Sequence, residues 1–568
     1  MAVGLKHASS NGLASLAPRI GTAITTCLLT ISGIATLFLG VLSIFSTTEF
    51  KIDGPSSGVS PDFLSITEEI IFHYGLPSIQ FVAGFILLAA GTMVIGSALR
   101  RIPLRRISQA LVLITLIVSL LWVLSLNAKG AFWYNDSRSL IDSSRAFLEG
   151  DYAQFDPSAS DHGDGSPEFY SYYSWYPFQT GAMLWFSLVF FFIGAGNIAG
   201  YQVINAFLTA GIVWAVWQLS KRCGFNETTL RHEALLLILC VPLYTSAAFV
   251  YPNTAGLFLV LLAVLVAVIS MQTDSYPHMC LLAVAAYLIA AVAMLVKGTV
   301  IIFVIALTIC LIITALIKRR YWLALLCCVM FIVSHQLSSL SVVIVETVTG
   351  EQFGEGLPQL SWIAMGLDPH STSDNPGWWN DSAINAYALT SGDPAGQSQI
   401  AKQSILDSLT AFVQDPAMAW EFLRDKLASE WAEPSFQAFH YTHLTETNDP
   451  GFLTSEFLGP RYSAVLSFEN VYQSIIYLFA VIGIFRSIAI RKAIPIGHLL
   501  CISCVSLCFL GGFGCFLLWE AKSVYTLPYA IMLIPLAASG LSGTSHALAR
   551  VFRWMMQQRS SVAEKSTR

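Results

Sequence analysis

Charge is scarce in this chain. Of its 568 residues only 11% are Asp, Glu, Lys or Arg, against 55% hydrophobic, and the mean hydropathy is +0.64. A surface facing water on all sides needs more charge than that, so an ordinary soluble domain is excluded. Cysteine is missing from the acidic stretches. The eleven cysteines fall in apolar or basic segments, and no structural disulfide is expected. Cys501 and Cys504 have the spacing of a redox or metal pair, but they sit in one apolar run without another ligand type nearby, and packing accounts for them. No glycine-rich phosphate loop follows a strand pattern, so nucleotide binding is not expected, and no feature points to nucleic acid. There is no Asp-x-Asp pair, and Asp161-His162-Gly163-Asp164 has the composition of a turn, so neither a metal nor an organic cofactor is expected.

What the chain has is long apolar runs. A helix needs about 20 apolar residues to cross the hydrocarbon core. Runs of that kind fall at 20–45, 79–99, 108–126, 199–220, 234–251, 255–272, 279–296, 299–317, 321–345, 471–489, 494–518 and 525–543. These predict an all-α polytopic membrane protein with about twelve transmembrane helices. The first run is longer and deeper in the chain than the core of a cleavable signal, and it is expected to remain as an anchor.

Basic residues orient the spans, because cytoplasmic loops retain Lys and Arg. With both termini inside, the cytoplasmic face collects twenty basic and four acidic residues, leaving ten basic and thirty-one acidic ones outside. Counting the apolar segment 180–197 as a further span would put the Lys318 and Arg491 clusters outside, so it is read as a juxtamembrane helix at the outer boundary. The expected organisation is then two extra N-terminal helices in 1–105, a transmembrane core in 106–346 with an outer loop at 127–198, a long outer region at 347–469, C-terminal helices in 470–548 and a basic cytoplasmic tail at 549–568. The long outer region carries an expected amphipathic helix over 396–430. Loops of such length are generally functional.

The stretch 131–181 gathers the chemistry. Asp136 stands at the mouth of a span, Arg138 and Arg145 follow, and an aromatic cluster ends at Tyr176-Pro177-Phe178-Gln179-Thr180-Gly181. A carboxylate beside arginines at a membrane boundary is costly unless it is paired or used. Further along come Tyr201 to Asn205, Lys297-Gly298 opening a span, Trp362 to Gly366, Gly377 to Asp381, and Trp519-Glu520-Ala521-Lys522-Ser523-Val524-Tyr525.

In order and spacing these motifs resemble the GT-C class of integral-membrane glycosyltransferases, nearest the bacterial relatives of the protein O-mannosyltransferases, over roughly residues 108–545. The chain departs from that pattern at Gly298, where the family often has proline, and at Ser137-Arg138, where it often has an acidic pair. The resemblance implies transfer of a sugar from a polyprenyl-phosphate donor to a glycan, lipid or protein acceptor on the outer side of the plasma membrane. Such a displacement needs a carboxylate to take the acceptor's proton and cations to hold the departing phosphate. Asp136 is the expected base, with a helix N-cap or an ion pair with Arg138 as its other readings. Lys297, Arg138 and Arg145 are the expected phosphate ligands, although a lysine at a boundary also snorkels without a ligand. Trp175, Tyr176, Gln179, Trp362, Asp381, Lys522 and Tyr525 are expected at the substrate. Two other functions fit a multi-span chain: a transporter or lipid flippase, which favours charges near the midplane and broken helices, and a glycan polymerase or ligase, which would use arginines in the long loop, where only Arg424 and Arg461 occur.

Overall fold

The computed structural model describes residues 2–50, 70–157, 169–370, 375–447 and 449–566. Asp161 to Asp164 lie outside the described residues. Among the described residues ten helices, each 20 to 29 residues long, are apolar enough to cross a membrane. Two bent pairs bring the number to twelve. All twelve correspond to the expected runs. The bends were not anticipated. Glu227–Ile238 and Val241–Ala248 meet at 56°, and Ser523–Ile531 and Ile534–Gln557 meet at 51°. A proline stands just beyond each break, Pro242 and Pro535, where its missing N–H and its clash with the preceding turn end the regular ladder.

The segment 180–197 forms the helix Thr180–Ile193, 14 residues long. At about 1.5 Å per residue it reaches only about 21 Å, short of the ~30 Å hydrocarbon core. Gly181 sets its start directly against the backbone of Leu295, where any side chain would collide with the Leu295 carbonyl. That contact fixes the aromatic stretch before it beside the end of the span Tyr276–Val296. The N-terminal span Ile20–Phe45 is part of the same bundle: Gly33 packs on Phe485 and Gly40 on Leu478, and Leu29 and Leu39 join the main core.

The loop regions 127–198 and 347–469 are tied to one another. Ala128–Phe132 pairs antiparallel with Thr445–Thr447, joining the first of them to the end of the second. The helix expected over 396–430 is two, Pro394–Gln414 and Pro416–Trp431. Asp415 is held away from helical geometry by the following proline and accepts hydrogen bonds from the backbone N–H groups of Ala417 and Met418, at 3.1 and 3.0 Å, so it starts a new helix. This second helix delivers Lys426 and Glu430 into the interior, and Glu433, just beyond its end, is buried with them.

Candidate active site

One cavity of about 1560 Å³ opens where these loop regions meet the ends of the spans. That exceeds the ~300–1,000 Å³ typical of a site for a drug-sized molecule. Asp136 enters it from the first turn of the helix Asn135–Glu149. The N-cap of that helix is Tyr134, so the capping reading of Asp136 does not hold. Its carboxylate instead accepts the hydroxyl of Tyr251 at 3.3 Å, and that hydroxyl in turn accepts the side-chain N–H of Gln179 at 2.6 Å. Gln179 thus orients the group that orients Asp136. Burial first, and then the negative charge of Asp136, hold the phenols of Tyr172 and Tyr251 well above their usual range, so both stay neutral donors.

Lys297 occupies the junction between the span Tyr276–Val296 and the next, with an extended backbone (φ −149°, ψ 103°) that interrupts the helix. Gly256 makes room beneath it: a Cβ added there would come within 2.6 Å of the Lys297 Cβ. The Lys297 ammonium lies 4.4 Å from the ring centre of Tyr251 and 5.8 Å from that of Tyr525. Burial lowers its pKa to about 8, against the opposing pull of Asp136 and Glu520. It therefore stays charged at neutral pH in a partly dehydrated setting, where attraction to an anion is strong. Lys522 is a second buried cation, 5.6 Å from the Tyr134 ring and 5.5 Å from that of Trp378.

The rest of the cavity divides in two. One part is aromatic: Trp362 stacks on Trp519 with centroids 5.9 Å apart and planes 14° apart, and Tyr176 and Phe178 meet Trp362 at 6.3 and 6.0 Å. Its other arm is aliphatic and follows one span, lined by Ile301, Ile302, Ile305 and Ile309. The eight helical rises from Ile301 to Ile309 make that arm about 12 Å long. Ile305 and Ile309 are 43% and 37% exposed.

Of the residues expected at the site, Asp136, Lys297, Trp175, Tyr176, Gln179, Trp362, Lys522 and Tyr525 all line this cavity. Three do not. Arg138 and Arg145, expected on the donor phosphate, both pair with Asp142, Arg138 at 3.7 Å, and neither lines the cavity. Their spacing to Asp142 is the reason, since partners three and four residues apart share a helix face. Asp381 is exposed at the start of the helix Ser382–Leu389, outside the cavity. Sequence reasoning missed Tyr251, Trp378, His440 and Glu520. Glu520 stood inside a quoted motif and was passed over for its neighbours. Among the described residues no cluster of three or more His, Cys, Asp or Glu side chains could hold a metal ion. Compared with protein-family models and with curated proteins, the chain matches none.

Proposed function

We propose that this chain is a membrane glycosyltransferase that transfers a sugar, with inversion, from a polyprenyl-phosphate donor to an acceptor on the extracytoplasmic face of the cell membrane. The observation that carries the reading is the division of the cavity, with two buried lysines beside Asp136 and Glu520 in one part and an arm lined by isoleucines in the other. That pattern suits an amphiphile with an anionic head and a long apolar tail. In the reaction, the acceptor hydroxyl gives its proton to Asp136 as its oxygen bonds to the anomeric carbon. The carbon–oxygen bond to phosphate breaks, and the phosphate keeps the electron pair. Lys297 and Lys522 supply positive charge where that negative charge develops. The aromatic part, with Tyr176 and Trp362, offers faces for stacking on sugar rings.

A lipid transporter is the second reading, favoured by the two bent spans, since discontinuous helices are common in transporters. Chemistry separates the two. Protein in detergent, given a polyprenyl-phosphate sugar and an extract containing acceptors, breaks the sugar–phosphate bond under the first reading. Under the second it leaves the lipid intact.

A further inference from the structure

Glu520 has no part in the reaction as described, yet it faces the same cavity at 4% exposure. Its position is fixed by backbone contacts. Residues 519–522 run between the helices Ile496–Leu518 and Ser523–Ile531. Along this non-helical segment Glu520 and Lys522 both enter the cavity, while Ala521 between them is fully buried and its N–H donates to the Gly377 carbonyl at 2.8 Å. The buried Lys426 clasps the segment from the long loop. Its ammonium donates to the carbonyls of Gly366 at 2.6 Å, Trp519 at 2.7 Å and Leu517 at 3.3 Å. Gly366 lies so close to the Leu518 and Trp519 carbonyls that no side chain fits between. The carboxylate is therefore anchored through its own backbone.

A buried carboxylate beside an anion subsite opposes binding, so its placement calls for a reason. The charges supply one. The lysines facing the cavity are Lys297 and Lys522, and the carboxylates are Asp136, Glu520 and Glu355, the last exposed at the rim. The donor is a phosphodiester with one negative charge. Transfer converts diester monoanion, Asp136 carboxylate and neutral acceptor into monoester dianion, protonated Asp136 and neutral glycoside, two negative charges on each side. The prenyl phosphate left behind thus carries one charge more than the donor. Building on the glycosyltransferase reading, we propose that Glu520 is a specificity-determining residue that weakens binding of the doubly charged monoester more than that of the singly charged phosphodiester, which speeds product release. Repulsion from one fixed charge acts twice as strongly on a dianion as on a monoanion.

Undecaprenyl phosphate and its methyl diester are the probes, and their binding to purified full-length protein at pH 7 is the measurement. Glu520→Gln should bind the monoester about tenfold more tightly than the unaltered protein, with a smaller gain for the diester. A monoester affinity that is unchanged or lower in Glu520→Gln overturns the proposal: a Glu520 that only keeps Lys297 charged predicts weaker binding of both lipids, and one that only contacts sugar leaves both unchanged. The pH dependence gives a second measurement. From pH 5 to 7 the monoester loses its second proton, near pH 6, while Lys297, with its pKa of about 8, stays charged. Across that window monoester affinity relative to diester affinity should rise less, or fall more, in the unaltered protein than in Glu520→Gln, whose diester binding shows that it is folded. Asp136, Tyr172, Tyr176, Tyr251, His335, His440, Lys522 and Tyr525 also face the site, and the diester controls for them because it meets the same groups without a second ionisation. A pH dependence of that ratio that is the same in the two proteins overturns the proposal. Failure of both lipids to bind the unaltered protein removes the functional reading and this inference together; binding of both with a ratio that Glu520→Gln leaves unchanged removes this inference alone.

Discussion

Replacing Asp136 by Asn removes a charge and little else. Asparagine has nearly the same volume, and its carbonyl oxygen can still accept the Tyr251 hydroxyl that now reaches Asp136 at 3.3 Å. Because Tyr134 holds the N-cap, the helix Asn135–Glu149 does not depend on the substituted side chain for its start. One side effect is foreseeable. Asp136 is one of two carboxylates that support the charge of Lys297, whose pKa is about 8, and without it that pKa falls further. The comparison therefore belongs near pH 6, where Lys297 keeps its proton. Under those conditions expression and binding of a polyprenyl-phosphate sugar should stay near the unaltered level. Turnover should fall by at least about a hundredfold, as expected on loss of a positioned base, equivalent to about 2.7 kcal/mol in the barrier. Release of prenyl phosphate, followed by mass spectrometry, is the assay. Near-normal turnover would refute Asp136 as the base, and parallel loss of folded protein and activity would assign it a structural role.

Lys297→Ala should weaken donor binding by about tenfold or more, and Lys297→Arg should recover part of it because the charge survives with altered geometry; a titration of donor affinity checks both. In the unaltered protein donor affinity should be steady below about pH 7 and decline through pH 8 as Lys297 loses its proton, whereas in Lys297→Arg this decline should vanish because guanidinium stays charged. Gly256→Ala should lower donor affinity without touching any polar group, since the new methyl must displace Lys297; unchanged affinity would show that the junction has slack. Lys426→Met leaves the Gly366 and Trp519 carbonyls without their donor, at about 1–3 kcal/mol for each buried acceptor, and should lower the thermal midpoint in detergent. Single cysteines replacing Gln399 and Ala493 in a cysteine-free background test the topology, with labelling by an impermeant reagent expected at 399 and not at 493.

The spans were legible because an uninterrupted apolar run of membrane length has few other uses in a sequence. Their bends were not, although Pro242 and Pro535 were visible, because proline sits in membrane helices with and without a break. Asp136, Lys297, Trp362, Lys522 and Tyr525 were found through motifs spread over some 390 residues that converge on one cavity. Arg138 and Arg145 were drawn in by nearness in sequence to Asp136. The competing signal, their spacing to Asp142, was equally visible, and it is the pairing the structure adopts. The Lys426 clasp could not have been read at all, since it joins carbonyls from residues 366, 517 and 519 that only the folded chain brings to one ammonium. Glu520 was hidden for a related reason: a carboxylate at the end of an apolar run looks like an ordinary boundary residue until the cavity it faces is known.

The central claim is that the cavity breaks a sugar–phosphate bond. Purified protein in detergent, with no gradient and no nucleotide sugar, should consume a polyprenyl-phosphate sugar in the presence of acceptor and release an equal amount of polyprenyl phosphate, as measured by mass spectrometry of the lipid fraction. Donor that binds and stays intact, together with movement of the same lipid between leaflets when the protein is placed in vesicles, would contradict that claim.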